Sequence, residues 1–253
     1  VTREQNRRVG RLEKAYWITA CVVTAAILAL TLVEILLARP EETFAEEIAR
    51  IAGALPPIDA ASPPTREEIL ASGPGSELSA LGREAVDFLF EHVDASRGEE
   101  AAKWLRAFAF YAQKHLHTER IAQYLLRDDE EVGRAAAEVL SVALEEDDAK
   151  ENARAIERRY DKAPSGVRTE ILAALASLRA REAGAVVLEG LSDPEEGVRL
   201  AACEAAARLS FDDEGARIAQ RLSELAVGDA SARVRKSAER AAGEYSGSPT
   251  QDR

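Results

Sequence analysis

Residues 127–245 carry an apolar pattern that repeats on two length scales. From Val132, Val167, Val198 and Val234, apolar residues follow at the fourth, seventh, eighth and eleventh positions. They are Ala136, Val139, Leu140 and Ala143 in the first unit, and Ile171, Ala174, Leu175 and Leu178 in the second. In the third they are Ala202, Ala205, Ala206 and Leu209, and in the fourth Ala238, Ala241, Ala242 and Tyr245. That spacing puts each set on one face of a helix. The four valines stand 35, 31 and 36 residues apart. Further amphipathic segments fill the gaps, at Asp147–Tyr160, Arg181–Leu191 and Asp213–Val227. A helix pair recurring at this period predicts an all-α fold, an α-solenoid whose stacked units share one core. The alanine-rich inner faces let neighbouring helices come close. Asp193 reads as a helix N-cap with Pro194 at the first helical position.

Asp193-Pro194 followed by Val198-Arg199, and Asp229 followed by Val234-Arg235, resemble HEAT repeats, in particular the short bacterial kind named after phycobilisome lyases. The resemblance covers roughly Arg127–Tyr245. It implies that the aspartate of one repeat and the arginine of another tie neighbours together, with Arg168, Arg199 and Arg235 following the aligned valines. The chain departs from the pattern in two places. Gly133 stands where the first arginine belongs, beside Arg134, and Arg127 and Lys162 occupy the register of Asp193 and Asp229. The last helix carries Arg233, Arg235, Lys236 and Arg240, and reads as a polar capping half-repeat. Residues 246–253 read as a flexible polar tail.

Upstream, residues 76–126 predict three helices, Glu77–Asp94, Gly98–His117 and Thr118–Leu126. Seven of the 13 aromatic residues fall there, so these helices are apolar on more than one side. Phe88 and Phe90, like Phe108 and Phe110, are two apart and point to opposite faces of a helix. Such helices are either central to a bundle or meet another protein. The core reading is favoured, and Phe88, Phe90, Trp104, Phe108, Phe110 and Tyr111 are nonetheless the best candidate docking surface.

Six of the nine prolines lie between Pro40 and Pro74. Residues 38–75 therefore read as an extended tether with two short helices. Thr43 with Glu46, and Thr65 with Glu68, have capping-box spacing. Phe44, Ile48, Ile51 and Leu55 share one face of the first helix.

Ala15–Leu37 is a run of 23 residues, apolar apart from threonines and Glu34. It is long enough to cross a bilayer as a helix, and Tyr16 and Trp17 stand at its start, where interfacial aromatics belong. It is too long for a signal-peptide core and no clean cleavage site follows, so an uncleaved anchor is expected. Ile18-Thr19-Ala20-Cys21 resembles a lipoprotein box, but most of the apolar run comes after the cysteine. Arg3, Arg7, Arg8, Arg11 and Lys14 in the 1–14 tail place the N-terminus in the cytoplasm and the body across the membrane, in a bacterium the periplasm. Ala25, Ala29 and Glu34 are the candidates for contact with a neighbouring transmembrane helix. Removal of an initiator methionine is the expectation for a sequence that starts at Val1 and contains no methionine.

The formal net charge is -12, with residues 1–39 net +3 and the remainder net -15, and so acidic a body argues against nucleic acid as a partner. Of the two cysteines, Cys21 lies in the apolar run, and Cys203 reads as a small core residue. His92, His115 and His117 have no metal-binding spacing. No Cys-x-x-Cys, His-Glu-x-x-His or phosphate-binding glycine loop occurs, and Gly73-Pro74-Gly75 reads as a turn. No catalytic, cofactor-binding or metal site is expected, and no small-molecule substrate. The expected function is a non-catalytic scaffold anchored in the inner membrane. Its partners are protein subunits of a membrane complex, as for an accessory subunit of a bioenergetic assembly, photosynthetic or respiratory. A periplasmic assembly factor shares every one of these features. A lyase-like enzyme is implied only by the family name.

Overall fold

The computed structural model describes residues 41–111, 114–143, 145–211 and 214–247. The expected membrane span 15–37, with Ala25, Ala29 and Glu34, and most of the 246–253 tail lie outside the described residues. Among the described residues, no helix is long and apolar enough to cross a membrane. The chain divides into two units, Val1–Glu47 and Ile48–Arg253. All regular structure among the described residues is helical.

Thirteen α-helices are described: α1 Glu41–Ala54, α2 Arg66–Ala71, α3 Gly73–Ala80, α4 Gly82–Ala95, α5 Gly98–Arg106, α6 Thr118–Gln123, α7 Glu130–Ser141, α8 Glu146–Glu157, α9 Ser165–Ser177, α10 Gly184–Gly190, α11 Glu196–Arg208, α12 Gly215–Gly228 and α13 Ala232–Gly247. Helices α5, α7, α9, α11 and α13 pack successively into one layer. The intervening helices form a second layer, in which α6 meets α8 and α10 meets α12. The aligned valines Val132, Val167, Val198 and Val234 lie between the layers, each at most 1% exposed. Ala136, Ile171, Ala202 and Ala238, four positions on, are buried with them. Removing these apolar faces from water is what holds unit to unit.

Helix α5 extends the repeat layer one unit before Arg127, which the valine alignment does not reveal. Its partner α7 approaches it closely, and Arg106 Nε donates to Glu138 Oε2 at 2.6 Å across the contact. Gly133, the apparent defect in the motif, has a packing cause. A Cβ there would stand 2.6 Å from Cγ2 of Val167, so a side chain at this position would force α7 and α9 apart.

Several boundaries differ from the sequence reading. The expected helix over 77–94 is two helices, broken at Gly82, whose φ of 66° is open to glycine at little cost. Gly73-Pro74-Gly75 is the first turn of α3, capped by Ser72 Oγ, which accepts from the Gly75 N–H at 3.2 Å. The expected helix over 98–117 ends as an α-helix at Arg106. The chain tightens there into a 3₁₀ turn, Ala107–Phe110, with all four residues buried against α3, α5 and α7. Thr65 and Glu68 do form the capping box, whereas Thr43 lies inside α1.

The largest difference is in the tether. From Ile48 onward it belongs to the folded body: Ile48, Ile51, Ile58 and Ala60 are buried, and Arg50 pairs with Glu77 at 2.7 Å. Proline richness suggests a stiff spacer, but here it shapes a strap that packs on the repeats.

Candidate partner-binding surfaces

Three surfaces carry the chain's polar chemistry. The first is the set of loops that join one repeat to the next. Asp193 does not cap α11, which begins at Glu196. Its carboxylate instead accepts from the Glu195 N–H at 2.9 Å and pairs with Arg168 of the preceding repeat at 2.9 Å. Asp229 repeats the arrangement. It accepts from the Ser231 N–H at 2.8 Å, and from Arg199 Nε and Nη2 at 2.8 and 3.2 Å. Burial raises the Asp229 carboxyl, but Arg199 and the Ser231 N–H outweigh it and hold the group below the usual carboxylate range. Arg199 Nη1 also donates to Asp193 O and Pro194 O, and Arg235 Nη1 donates likewise to Asp229 O and Ala230 O.

Arg127, in the aspartate register, reverses the polarity of this tie. Its guanidinium donates to Val93 O, in the last turn of α4, at 2.8 Å and to Ser96 O, in the loop before α5, at 3.2 Å. One arginine thus bridges to its neighbour's carbonyls directly. These residues are joints of the array. The open cleft beside them is lined by Arg168, Leu188, Glu189, Ser192, Asp193 and Arg217.

The second surface was expected at the aromatic residues. The structure places Phe90, Phe108, Phe110, Tyr111 and Trp104 in the interior and leaves only Phe88 half-buried. Phe90 packs on Phe108 with ring centroids 4.3 Å apart, and Arg120 covers the other side of the cluster, 3.7 Å from the Phe90 ring centroid. Phe88 stacks on His92, whose Nδ1 lies 2.8 Å from Phe88 O. Residues two apart point inward from both sides because α3, α4, α5 and α7 surround the 107–110 turn. The aromatic set is a core and offers no open docking face.

His117 lies beside Phe90 and Phe108, and burial together with Arg120 pushes its imidazole down. His115 and His117 share a 3₁₀ turn. Among the described residues, no group of three His, Cys, Asp or Glu side chains is placed to hold a metal ion. Cys203 is fully buried, and burial pushes its thiol up to about 12. Asn152, which sequence reasoning passed over, is a buried polar knot. It donates to Leu140 O and Val142 O at 2.9 and 3.2 Å and accepts from Thr118 Oγ1 at 2.9 Å, joining α6, α8 and the end of α7.

The third surface is the one under the strap. Residues 56–58 have no regular structure, and 59–62 form a turn, with Ala60 and Ala61 at its centre, in which the Ser62 N–H donates to Asp59 O at 3.0 Å. Ser177 Oγ, at the end of α9, donates to Ala60 O at 2.6 Å. Arg208 Nη1, at the end of α11, donates to Ala61 O at 3.1 Å. Ile58 and Ala60 face inward at 8% and 1% exposure, while Asp59 and Ala61 face out. Side chains of two successive repeats thus hold neighbouring main-chain carbonyls of this turn. Alternation of buried and exposed residues alone could not have located this contact, since it depends on where α9 and α11 end.

No protein-family model matches the chain, and no match is found among curated proteins. Solved structures do match. An engineered protein superposes with a TM-score of 0.50 and 20% identity, over 85% of this chain and 95% of its own. A designed armadillo repeat protein in complex with the peptide (KR)4 superposes with a TM-score of 0.50 and 19% identity, over 83% and 96%. The fold is a helical-repeat solenoid. At this identity the likeness speaks to the fold alone.

Proposed function

We propose that the chain is a non-catalytic, membrane-anchored scaffold that binds protein partners through its repeats. The observation that carries this reading is the strap contact, where side chains of two successive repeats hold the turn at residues 59–62 by its main chain. A solenoid supplies long surfaces of this kind, and the structurally similar designed armadillo protein is a complex with a peptide. The apolar run 15–37 supports a single-pass anchor, and the basic residues before it support a cytoplasmic N-terminus with the repeats in the periplasm. The HEAT-like motifs fit the same reading.

The narrower form is an accessory subunit that docks on a large membrane complex from the periplasmic side, a photosynthetic or respiratory one being the first to look for. The test is gentle native purification from the source membranes, with mass spectrometry of the proteins that accompany the chain. Constant stoichiometry with one membrane complex is the expected result. Recovery alone, or with scattered clients in varying ratio, overturns the subunit reading in favour of a transient assembly factor.

A further inference from the structure

The repeat array has two unlike ends. It closes on α13, and among the described residues no helix follows. It opens on α4 and α5. Helix α4 packs on α5, and its Asp94 accepts from Tyr124 Oη at 2.7 Å and pairs with Arg120 of α6 at 3.6 Å. Charge is divided between the ends. Residues 48–214 hold 20 basic and 33 acidic residues, whereas residues 215–247, the last helix pair, hold six basic and four acidic. Each end carries a stripe on one exposed helix face. On α4 it is Glu84, Asp87 and Glu91, and on α13 it is Arg233, Lys236 and Arg240. Both have the spacing i, i+3, i+7, which sets three side chains in a row over two turns. Glu84, Glu91, Lys236 and Arg240 make no ion pair among the described residues. Asp87 and Arg233 make only loose ones, with Arg83 at 3.8 Å and with Glu196 at 3.6 Å, on side chains that are 59% and 79% exposed. Glu244, one turn past Arg240, ends the basic stripe. Val227, in the last turn of α12, adds an exposed apolar residue at the same end.

We propose that the basic face of α13 docks on the acidic face of α4 in a second copy of the chain, so that copies associate head to tail. The two stripes match in length and spacing and are opposite in sign, and each repels its own like. A contact through identical patches is therefore disfavoured, and the interface is heterologous. Every pair leaves one acidic and one basic stripe open, so a third copy adds in the same way. Exposed ion pairs are individually weak and screened by salt. The contact therefore depends on concentration, and it serves chains confined to one surface, where their effective concentration is high. The inference goes beyond the scaffold reading, because it makes the scaffold an assembly of many copies, and the contact itself needs no anchor.

The test is sedimentation velocity of the full-length chain in detergent, over a concentration series at low and at high salt. Two charge-reversed variants accompany wild type. One carries Glu84→Lys, Asp87→Lys and Glu91→Lys on α4, the other Arg233→Glu, Lys236→Glu and Arg240→Glu on α13. All six positions are exposed, and circular dichroism checks the fold. Wild type is expected to sediment faster with rising concentration at low salt and to return to monomer at high salt. Each variant alone should stay monomeric, because its two faces now share a sign. An equimolar mixture of the two should associate as wild type does, since each then meets the opposite charge, a rescue that no folding defect produces. Should either variant fail to fold, Glu84→Gln with Glu91→Gln, and Lys236→Gln with Arg240→Gln, replace them, and each pair should weaken association several-fold. Monomeric wild type throughout, association that the changes on either face leave intact, or a mixture of reversed variants that stays monomeric overturns the proposal. A chain that copurifies with a membrane complex yet stays monomeric loses this inference and keeps the scaffold reading. Self-association without a stable complex does the reverse.

Discussion

At the scale of single residues, the joints between repeats carry the strongest expectations. The Asp229 side chain is 4% exposed and Arg199 14% exposed, so removing one charge strands the other in a poorly solvated place. Asp229→Asn should cost about 2–3 kcal/mol in urea melts at pH 7. The sign of its pH dependence follows from the lowered carboxyl in the fold. A depressed group stabilises above its unfolded value, near 3.9, and that stability is lost as pH falls through the folded value. The gap between wild type and variant should therefore be full at pH 7 and close progressively below about pH 4. A gap that stays constant down to pH 2 would contradict the pairing. Cys203 gives a second expectation. With its thiol pushed up to about 12 and its side chain buried, it should resist a thiol reagent such as iodoacetamide at pH 8 in a Cys21→Ser background and react fully in denaturant. Sequence spacing was enough to pick out Arg168, Arg199, Asp193 and Asp229. It could not assign Arg127, because an arginine in an aspartate's register looks like an error until the carbonyls of Val93 and Ser96 are seen opposite it.

Among elements, the repeat helices were legible because burial imposes a 3.6-residue period, whereas their ends and close contacts were not. Gly133 illustrates the second case. Gly133→Ala gains helix propensity of about 1 kcal/mol but must displace the stiff side chain of Val167, which a new Cβ would meet at 2.6 Å. Overpacking of this kind costs about 1–3 kcal/mol, so net destabilisation of up to about 2 kcal/mol is expected. Gly243, exposed in α13 with nothing within 4 Å of its Cβ position, is the control. Gly243→Ala should stabilise by about 0.5–1 kcal/mol. Thermal melts of both variants on the same preparation check the pair, and two shifts of the same sign would refute the account of α7–α9 packing. The aromatic segment is the core that the sequence reading favoured, but the sequence also left it as a docking candidate for a related reason. Period alone shows that α4 and α5 are apolar on several sides. It does not show that the chain tightens after Arg106 into the 107–110 turn, on which α3, α5 and α7 close.

For the molecule as a whole, the proposed anchor predicts on which side of a membrane the solenoid would stand. The argument lies in charge distribution along the chain. Five basic residues precede the apolar run, and residues 1–39 are net +3 whereas the residues from Pro40 onward are net -15. Basic flanks are retained on the cytoplasmic side, so the N-terminus and the repeats should be on opposite sides. Single-cysteine labelling reads this directly. Cys21→Ser and Cys203→Ala remove the native thiols, and alanine suits the second site because Ala137 fills the equivalent buried place in the first repeat. Into that background go Thr2→Cys, before the run, and Ser223→Cys, exposed on α12. On intact spheroplasts a membrane-impermeant maleimide should label position 223 and leave position 2 unlabelled until the cells are lysed. Labelling of position 2 alone would invert the topology and put the acidic solenoid in the cytoplasm. Labelling of neither, with both reacting after lysis, would place the whole chain inside and remove the anchor from the scaffold reading.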